Sequence, residues 1–216
     1  MELKAVIFDL NGTVVKDEFI YGAAFRKVLR KLGKKVDKKY PHIGGIGVKE
    51  NWPRLLAKYK VSTNKTLDEL EFMTQEAYLE EASSIKITKG FRRLSEELKN
   101  GNIKIALATS NSIFITDKIL PELALTDFFD LVVTKEDVKF NKPSPDIFLT
   151  AAEKLGLKPH QCVVIEDSKS GIEAAGAAGM KVVGIFRDKG HAESLKDADL
   201  LIKDFNSLKM DQLQNL

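Results

Sequence analysis

The sequence is poor in the residues that staple or metal-cage a fold. It has one cysteine, Cys162, and three histidines, His42, His160 and His191, in 216 residues. A lone cysteine excludes an internal disulfide and suits a reducing compartment. Cys162 lies in an apolar run and reads as an inert core thiol rather than a nucleophile. The histidines stand apart without ligand spacing, so no zinc site is expected and all three read as surface residues. An excess of one charge is also lacking. The 34 Lys and Arg face 31 Asp and Glu, leaving +3, which is too balanced to argue for nucleic acid. The basic run Lys34-Lys35-Val36-Asp37-Lys38-Lys39 contains an acid and no aromatic, and reads as a solvated loop. No apolar run approaches the ~20 residues of a membrane span, and no signal-peptide pattern is present. A cytoplasmic, membrane-free protein is therefore expected. There is no internal repeat and no low-complexity tract.

What is present is an ordinary globular composition, 44% hydrophobic and 30% charged, enough for one large domain or one domain with an insertion. The chain opens on Leu3-Lys4-Ala5-Val6-Ile7-Phe8-Asp9-Leu10-Asn11-Gly12-Thr13, an apolar β-favouring run that ends in a carboxylate and a turn glycine. From there to about residue 82 the periods are helical, with no convincing strand. One helix carries Ala23, Phe25, Val28, Leu29 and Leu32 and stops at Gly33. A second is expected over Lys49–Tyr59 with Pro53 near its first turn, and a third over Thr66–Ala82. Trp52 reads as core of this helical block. Beyond Ile87 the rhythm alternates. Helices are expected at Phe91–Lys99, Ile113–Leu120, Pro145–Leu155 (Ser144 as N-cap), Ser170–Ala178 and after Asn206. Strands are expected at Ile103–Thr109, Leu131–Val133, Cys162–Ile165, Val182–Phe186 and Leu200–Ile202. Strand–helix alternation predicts an α/β fold, a Rossmann-like parallel sheet. The core is then 1–14 plus 83–216, and 15–82 is an inserted all-helical cap, hinged at about residues 14–17 and 82–87 and placed to exclude water.

Polar groups end four of the apolar runs or loops: Asp9 with Asn11; Thr109, Ser110 and Asn111; Lys142; and Glu166 with Asp167. In a parallel sheet all strand C-termini lie on one edge. Each group alone reads as a cap or turn former. Together they make a set suited to phosphoryl transfer. Clustered hard carboxylates need a cation such as Mg²⁺. A carboxylate can attack phosphorus itself, and a lysine and a cation offset the repulsion between anions. Hydroxyls and backbone N–H groups can hold the other oxygens.

Those residues carry a resemblance. Phe8-Asp9-Leu10-Asn11-Gly12-Thr13, Ile105-Ala106-Leu107-Ala108-Thr109-Ser110-Asn111, Lys142-Pro143-Ser144-Pro145-Asp146-Ile147-Phe148, and Val163-Val164-Ile165-Glu166-Asp167-Ser168 with Gly171-Ile172-Glu173-Ala174-Ala175 stand in the order of the four motifs of the haloacid dehalogenase superfamily. The whole chain resembles the helical-cap subgroup that contains β-phosphoglucomutase-like phosphatases. The resemblance implies a Mg²⁺-dependent phosphomonoester hydrolase of a small phosphorylated metabolite; a monomer is expected. It implies that Asp9 is the nucleophile and a metal ligand, with the Asn11 carbonyl, Asp167 and Glu166 (directly or through water) as further ligands. Thr109, the Ser110 N–H and Asn111 hold phosphate or substrate, Lys142 bridges nucleophile and phosphate, and Gly12 lets the backbone turn beneath the metal.

One position departs from the pattern. The subgroup carries Asp two residues after the nucleophile, as general acid/base; here it is Asn11. An amide cannot exchange a proton with a leaving alkoxide, a deficit of ~10²–10⁴-fold. Three explanations stand: an engineered substitution, a natural residue with leaving groups that need no proton, or lost turnover leaving a phosphate-binding protein. Dehalogenases also lack that Asp, but Glu166-Asp167 is a metal pair and dehalogenases use no metal. A phosphonoacetaldehyde hydrolase-like route would use a cap lysine, for which Lys49 is the candidate. Gly44-Gly45-Ile46-Gly47-Val48-Lys49 resembles a substrate-specificity loop. Tyr21 stands where β-phosphoglucomutases usually carry a cap histidine, and the loop's basic residue is displaced to Lys49; both features favour a phosphatase over a mutase. Lys16 or Lys49 is the candidate partner for an anionic substrate group.

Overall fold

The computed structural model describes residues 2–216. In chain order the elements are β1 (Ala5–Phe8), β2 (Val15–Lys16), α1 (Glu18–Lys31), α2 (Val48–Tyr59), α3 (Leu67–Leu79), β3 (Lys86–Ile87), α4 (Phe91–Asn100), β4 (Lys104–Ala108), α5 (Ile113–Glu122), β5 (Leu131–Val133), α6 (Asp146–Lys154), β6 (Cys162–Glu166), α7 (Lys169–Ala177), β7 (Lys181–Ile185), α8 (Lys189–Ser194), β8 (Leu200–Ile202) and α9 (Met210–Gln214). Six strands form one parallel sheet in the order β5-β4-β1-β6-β7-β8. The strand order reverses about β1, flanked by β4 and β6. That reversal opens a crevice beyond the strand C-termini, where open α/β sheets bind ligands.

The apolar runs read as strands because both faces of the sheet are covered. Val6 and Phe8 pack on one side with α4 and α5, while Ala5 and Ile7 pack on the other with α6 and α7. The second face is lined by Ala106, Ala108, Ala174 and Ala175, small residues that let helices approach closely. On the first face Phe8, Phe91 and Phe205 meet edge to face, with centroids 5.4–5.8 Å apart. Such pairs add to what their buried area contributes.

Helices α1, α2 and α3 pack on one another around Phe25, Trp52, Leu70 and Tyr78. Trp52 is fully buried, and its Nε1–H donates to Thr74 Oγ1 at 3.1 Å. The chain enters and leaves this helical block through β2 and β3, which pair antiparallel, Val15 opposite Ile87. The Thr88 N–H donates to the Val14 carbonyl beside them at 2.9 Å. Among the described residues no helix is long and apolar enough to cross a membrane.

Several local expectations are corrected. Residues 15–16 form a strand, which a two-residue stretch cannot signal by periodicity. Helix α1 starts at Glu18, ahead of its first expected apolar position at Ala23. Ser144 does not cap α6: Pro145 occupies that place, and the Ser144 hydroxyl instead donates to Asp146 Oδ1 at 2.6 Å. Pro53 falls in the second turn of α2, where its missing N–H leaves the Lys49 carbonyl without its helical donor. Helix α8, short and polar, had no apolar period to reveal it; Asp188 caps it by accepting from the His191 N–H at 2.8 Å.

Truncating the aromatic cluster tests this packing. Phe8→Ala should destabilise the protein by about 3–5 kcal/mol, read as a lower urea midpoint at unchanged m-value. A loss under about 1 kcal/mol would mean that the site can collapse around the cavity.

Candidate active site

Asp9 follows β1 directly, and its N–H donates to the Ile165 carbonyl of β6 at 3.0 Å. Beneath it lies the Lys142 ammonium, fully buried. It donates to Asp9 Oδ1 at 2.6 Å, Glu166 Oε1 at 2.8 Å and the Ala108 carbonyl at 3.1 Å, and sits 4.9 Å from the centre of the Phe148 ring. The other Glu166 oxygen accepts from the Ser168 N–H at 2.7 Å and its hydroxyl at 2.9 Å. The Ser168 hydroxyl also accepts from the Gly171 N–H at 3.0 Å, capping α7. A side chain at Gly171 would drive its Cβ into the Glu166 carboxyl, so glycine is required there.

Asp167 is less engaged. Thr13 Oγ1 lies 3.5 Å away and Arg187 3.8 Å away. Gly12, at φ +83°, passes so close that a Cβ would collide with Asp167 Oδ2. Only glycine fits both the conformation and the space. Oxygens of Asp9, Glu166 and Asp167 come within 4.8 Å of one another. Three buried carboxylates share one buried lysine, an uncompensated excess of negative charge. Burial raises the Asp9 pKa from 3.8 to about 7 against the opposing pull of Lys142. Burial, reinforced by Glu166, Glu18 and Asp9, raises Asp167 well above its usual value. Lys142 is held above its own ordinary value by its two carboxylate partners, against the cost of burial. Hard oxygen donors with excess negative charge fit a divalent cation such as Mg²⁺. Asp9 and Asp167 have oxygen to offer; both Glu166 oxygens already have protein partners.

Above these groups is a cavity of ≈ 540 Å³ including its mouth, lined by Asp9, Asn11, Ser110, Asn111 and Asp167 from the sheet side and by Tyr21, Phe25, His42 and the Gly44–Val48 segment from the helices. Thr109 lies buried just beneath, its Oγ1 accepting from the Asn111 N–H at 3.1 Å. Asn111 is oriented by Tyr21, whose hydroxyl donates to Asn111 Oδ1 at 2.9 Å, while its Nδ2 is buried without a protein partner. The Gly44–Gly47 segment lies against the sheet loops. The Ser110 hydroxyl donates to the Gly45 carbonyl at 3.2 Å, and a Cβ on Gly45 would collide with Ser168 Oγ. Gln75 Nε2 donates to Ser112 Oγ at 2.9 Å and Asn141 Nδ2 to Glu50 Oε1 at 2.6 Å. Lys135 pairs with Glu71, and Arg187 with Glu18. The helical block is therefore seated over the strand ends.

Two expectations change. Lys49 is not at the cavity: its exposed ammonium pairs with Asp68 of α3 at 2.5 Å, which raises its pKa. A cap-lysine route through Lys49 has no geometry here. His42 is not a surface residue. Its ring stacks on Phe25, centroids 5.0 Å apart, and its Nδ1 is buried without a partner. Burial, with Arg187 and Arg26 nearby, lowers its pKa to about 4, so it is neutral at neutral pH. Its isolation in sequence concealed this, because only packing on α1 encloses it. Nothing in the sequence pointed to Asp17 and Tyr78 as neighbours of Asn11, whose amide donates to Asp17 and lies 3.4 Å from the Tyr78 hydroxyl.

The raised carboxyls set a pH dependence. A carboxyl whose pKa is higher folded than unfolded favours the folded state at low pH, and that stabilisation is lost as pH rises through the folded pKa. Asp9 (3.8 to about 7) and Asp17 (3.8 to about 6) place the window between about pH 4 and pH 7. The metal-free Tm should fall across that window. Mg²⁺ at about a hundred times its Kd should raise Tm by about 5–10 °C at neutral pH, and Asp167→Asn should remove that increment. An unchanged Tm of the unsubstituted protein with Mg²⁺ would exclude this cation site.

The profile of haloacid dehalogenase-like hydrolases matches residues 6–185. The chain is 34% identical over 206 residues to a phosphorylated carbohydrates phosphatase of Thermotoga maritima, covering 93% of this chain and 91% of that one. It is 31% identical to the β-phosphoglucomutase of Bacillus subtilis, covering 98% and 94%. The crystal structure of a β-phosphoglucomutase from Clostridium difficile superposes with a TM-score of 0.87 at 29% identity, covering 99% of this chain and 96% of that one. The sheet order, the carboxylate–lysine cluster and these matches agree: the chain belongs to the haloacid dehalogenase-like hydrolase family, among its β-phosphoglucomutase-like phosphatases.

Proposed function

We propose that the protein is a Mg²⁺-dependent phosphatase of a small, hydroxylated phosphomonoester of the sugar-phosphate type, working through an aspartyl-phosphate at Asp9. The observation that carries this reading is Lys142 bound to Asp9 Oδ1 and to Glu166 beneath a cavity open to substrate. Lys142 fixes one Asp9 oxygen, which leaves Oδ2 to attack phosphorus. Thr109 and the Ser110 N–H take the phosphoryl oxygens, the nearby Lys142 charge offsets theirs, and the alkoxide leaves toward the cavity. Water then cleaves the acyl phosphate and regenerates Asp9, and because Asn11 exchanges no proton the alkoxide takes its proton from water. Asp9, Asp167 and the Asn11 carbonyl would hold Mg²⁺, with Glu166 behind. Bound there, it supplies the positive charge that lets a carboxylate approach a phosphate dianion.

The substrate class is supported by the cavity wall. Among the described residues lining it there is no lysine or arginine, so a second phosphate finds no counter-charge. Neutral His42 and the free amide of Asn111 suit hydroxyl groups, and Tyr21 and Phe25 supply an apolar face. This favours a monophosphate hydrolase over a mutase, which must hold a bisphosphate. Relatives named a phosphorylated carbohydrates phosphatase and, in Escherichia coli, a fructose-1-phosphate phosphatase YqaB support the same class. Residues 15–82 act as a cap on the core of 1–14 and 83–216, swinging on the β2–β3 pair. One chain supplies every group used, which suits a cytoplasmic monomer.

Two measurements test this. Asp9→Asn should lose hydrolysis by on the order of 10³-fold or more and yield no phosphoryl adduct on acid quench; undiminished turnover would sink the aspartyl-phosphate route. His42→Ala and Asn111→Ala should raise KM for a sugar monophosphate by about tenfold, from one lost hydrogen bond each, with little effect on an aryl phosphate. Equal effects on both substrates would remove these residues from recognition of the sugar.

A further inference from the structure

Asp17 is fully buried, and no ion pair among the described residues involves it. Its charge is held by three donors alone. The Gly12 N–H reaches Oδ1 at 3.2 Å, while the Asn11 amide and the Tyr78 hydroxyl, the latter at 2.5 Å, both reach Oδ2. The three donors come from the loop after the nucleophile and from α3 of the helical block. Tyr78 in turn stacks on Tyr21, centroids 4.1 Å apart, whose hydroxyl orients Asn111. A buried carboxylate without a cation is costly unless hydrogen-bonded. Asn11 supplies one of the bonds that make it tolerable.

We propose that Asn11 and Asp17 form one exchanged unit. The pair carries a single carboxylate between them, residue 11 is an amide because its neighbour is Asp17, and Asp17 is the positioning residue for residue 11. The hydrogen-bond inventory allows the two side chains to trade places. With the carboxylate at position 11 and the amide at position 17, the amide oxygen at 17 accepts from the Gly12 N–H and its NH₂ donates to the carboxylate at 11. The Tyr78 hydroxyl, 3.4 Å from the residue 11 side chain, accepts from the same NH₂ and donates to the carboxylate at 11. Every bond is kept, and the carboxylate is moved to the wall of the cavity that holds Asp9. Neither single change achieves this. Asn11→Asp sets a second, half-buried carboxylate against buried Asp17, with the Tyr78 hydroxyl as the one donor within reach of both. Asp17→Asn can be absorbed by turning the Asn11 amide oxygen toward the new NH₂, but it leaves no carboxylate in the pair. The absence of acid at position 11 is therefore no isolated loss; it is coupled to an acid six residues on.

The test is a double-mutant cycle on the full chain, read first by Tm and then by Mg²⁺-dependent release of phosphate from glycerol 1-phosphate, whose alkoxide leaving group needs a proton. Asn11→Asp should lower Tm by about 5 °C or more, Asp17→Asn should lower it less, and the double variant should return to within about 2 °C of the unsubstituted protein, far from additive. If a single variant fails to fold while the double folds, the rescue is the same result. A double variant no more stable than its weaker parent overturns the pairing. The kinetic arm rests on the phosphatase reading. The double variant should exceed both the unsubstituted protein and Asn11→Asp in kcat by about tenfold or more, with KM changed less than about threefold. An active unsubstituted enzyme with a stable but no faster double variant overturns the claim that position 11 is where the carboxylate acts. If neither protein hydrolyses phosphomonoesters, the phosphatase reading falls, and the Tm cycle still decides the pairing by itself.

Discussion

The Lys142 ammonium, closed off from solvent, donates to Asp9, to Glu166 and to the Ala108 carbonyl. Those acceptors sit at the C-terminal ends of β1, β6 and β4, adjacent strands of the sheet. A buried ion group is tolerable only when every partner is present, so this contact ties the registers of three strands to one another. It also fixes the rotamer of Asp9. The Ser168 cap and the bare Gly171 follow from it, because both serve to hold the Glu166 carboxylate where Lys142 needs it.

A second layer of organisation lies between the helical block and the strand ends. The contacts across the cleft include polar pairs, Tyr21 to Asn111, Gln75 to Ser112, Asn141 to Glu50 and Ser110 to the Gly45 carbonyl, beside the Phe72–Phe114 ring pair. Gly45 matters because backbone, not side chain, must approach Ser168. The β2–β3 pair keeps the two connecting segments side by side, so motion of the block would be carried by a single joint.

Much of the sheet was legible because strands buried on both faces read as unbroken apolar runs. Ala5–Phe8, Lys104–Ala108 and Cys162–Glu166 announce themselves in this way, and Asp9 and Glu166 mark where they stop. Helices α3 and α4 were legible from their periods. What was hidden is short or polar. Lys189–Ser194 has no apolar face to betray it, Val15–Lys16 is too brief, and Pro145 displaced Ser144 as the α6 cap through loop geometry that no local pattern encodes. Lys49 misled for a related reason. Its chemistry suited a site role, but its position on α2 aims it at Asp68.

By itself the sequence determined the alternation that makes a parallel sheet, the helical block within it, and the residue types that end the strands, since periodicity and composition are local properties. Tertiary structure alone decided which of those residues meet. His42 became a half-buried, neutral group because α1 folds beneath it. Asn11 acquired Asp17 and Tyr78 as partners because the loop after β1, the entry to α1 and the end of α3 converge. Contacts between residues distant along the chain, such as Asn11 and Tyr78, 67 positions apart, leave no trace in spacing. They exist only once the cores on both faces of the sheet have closed.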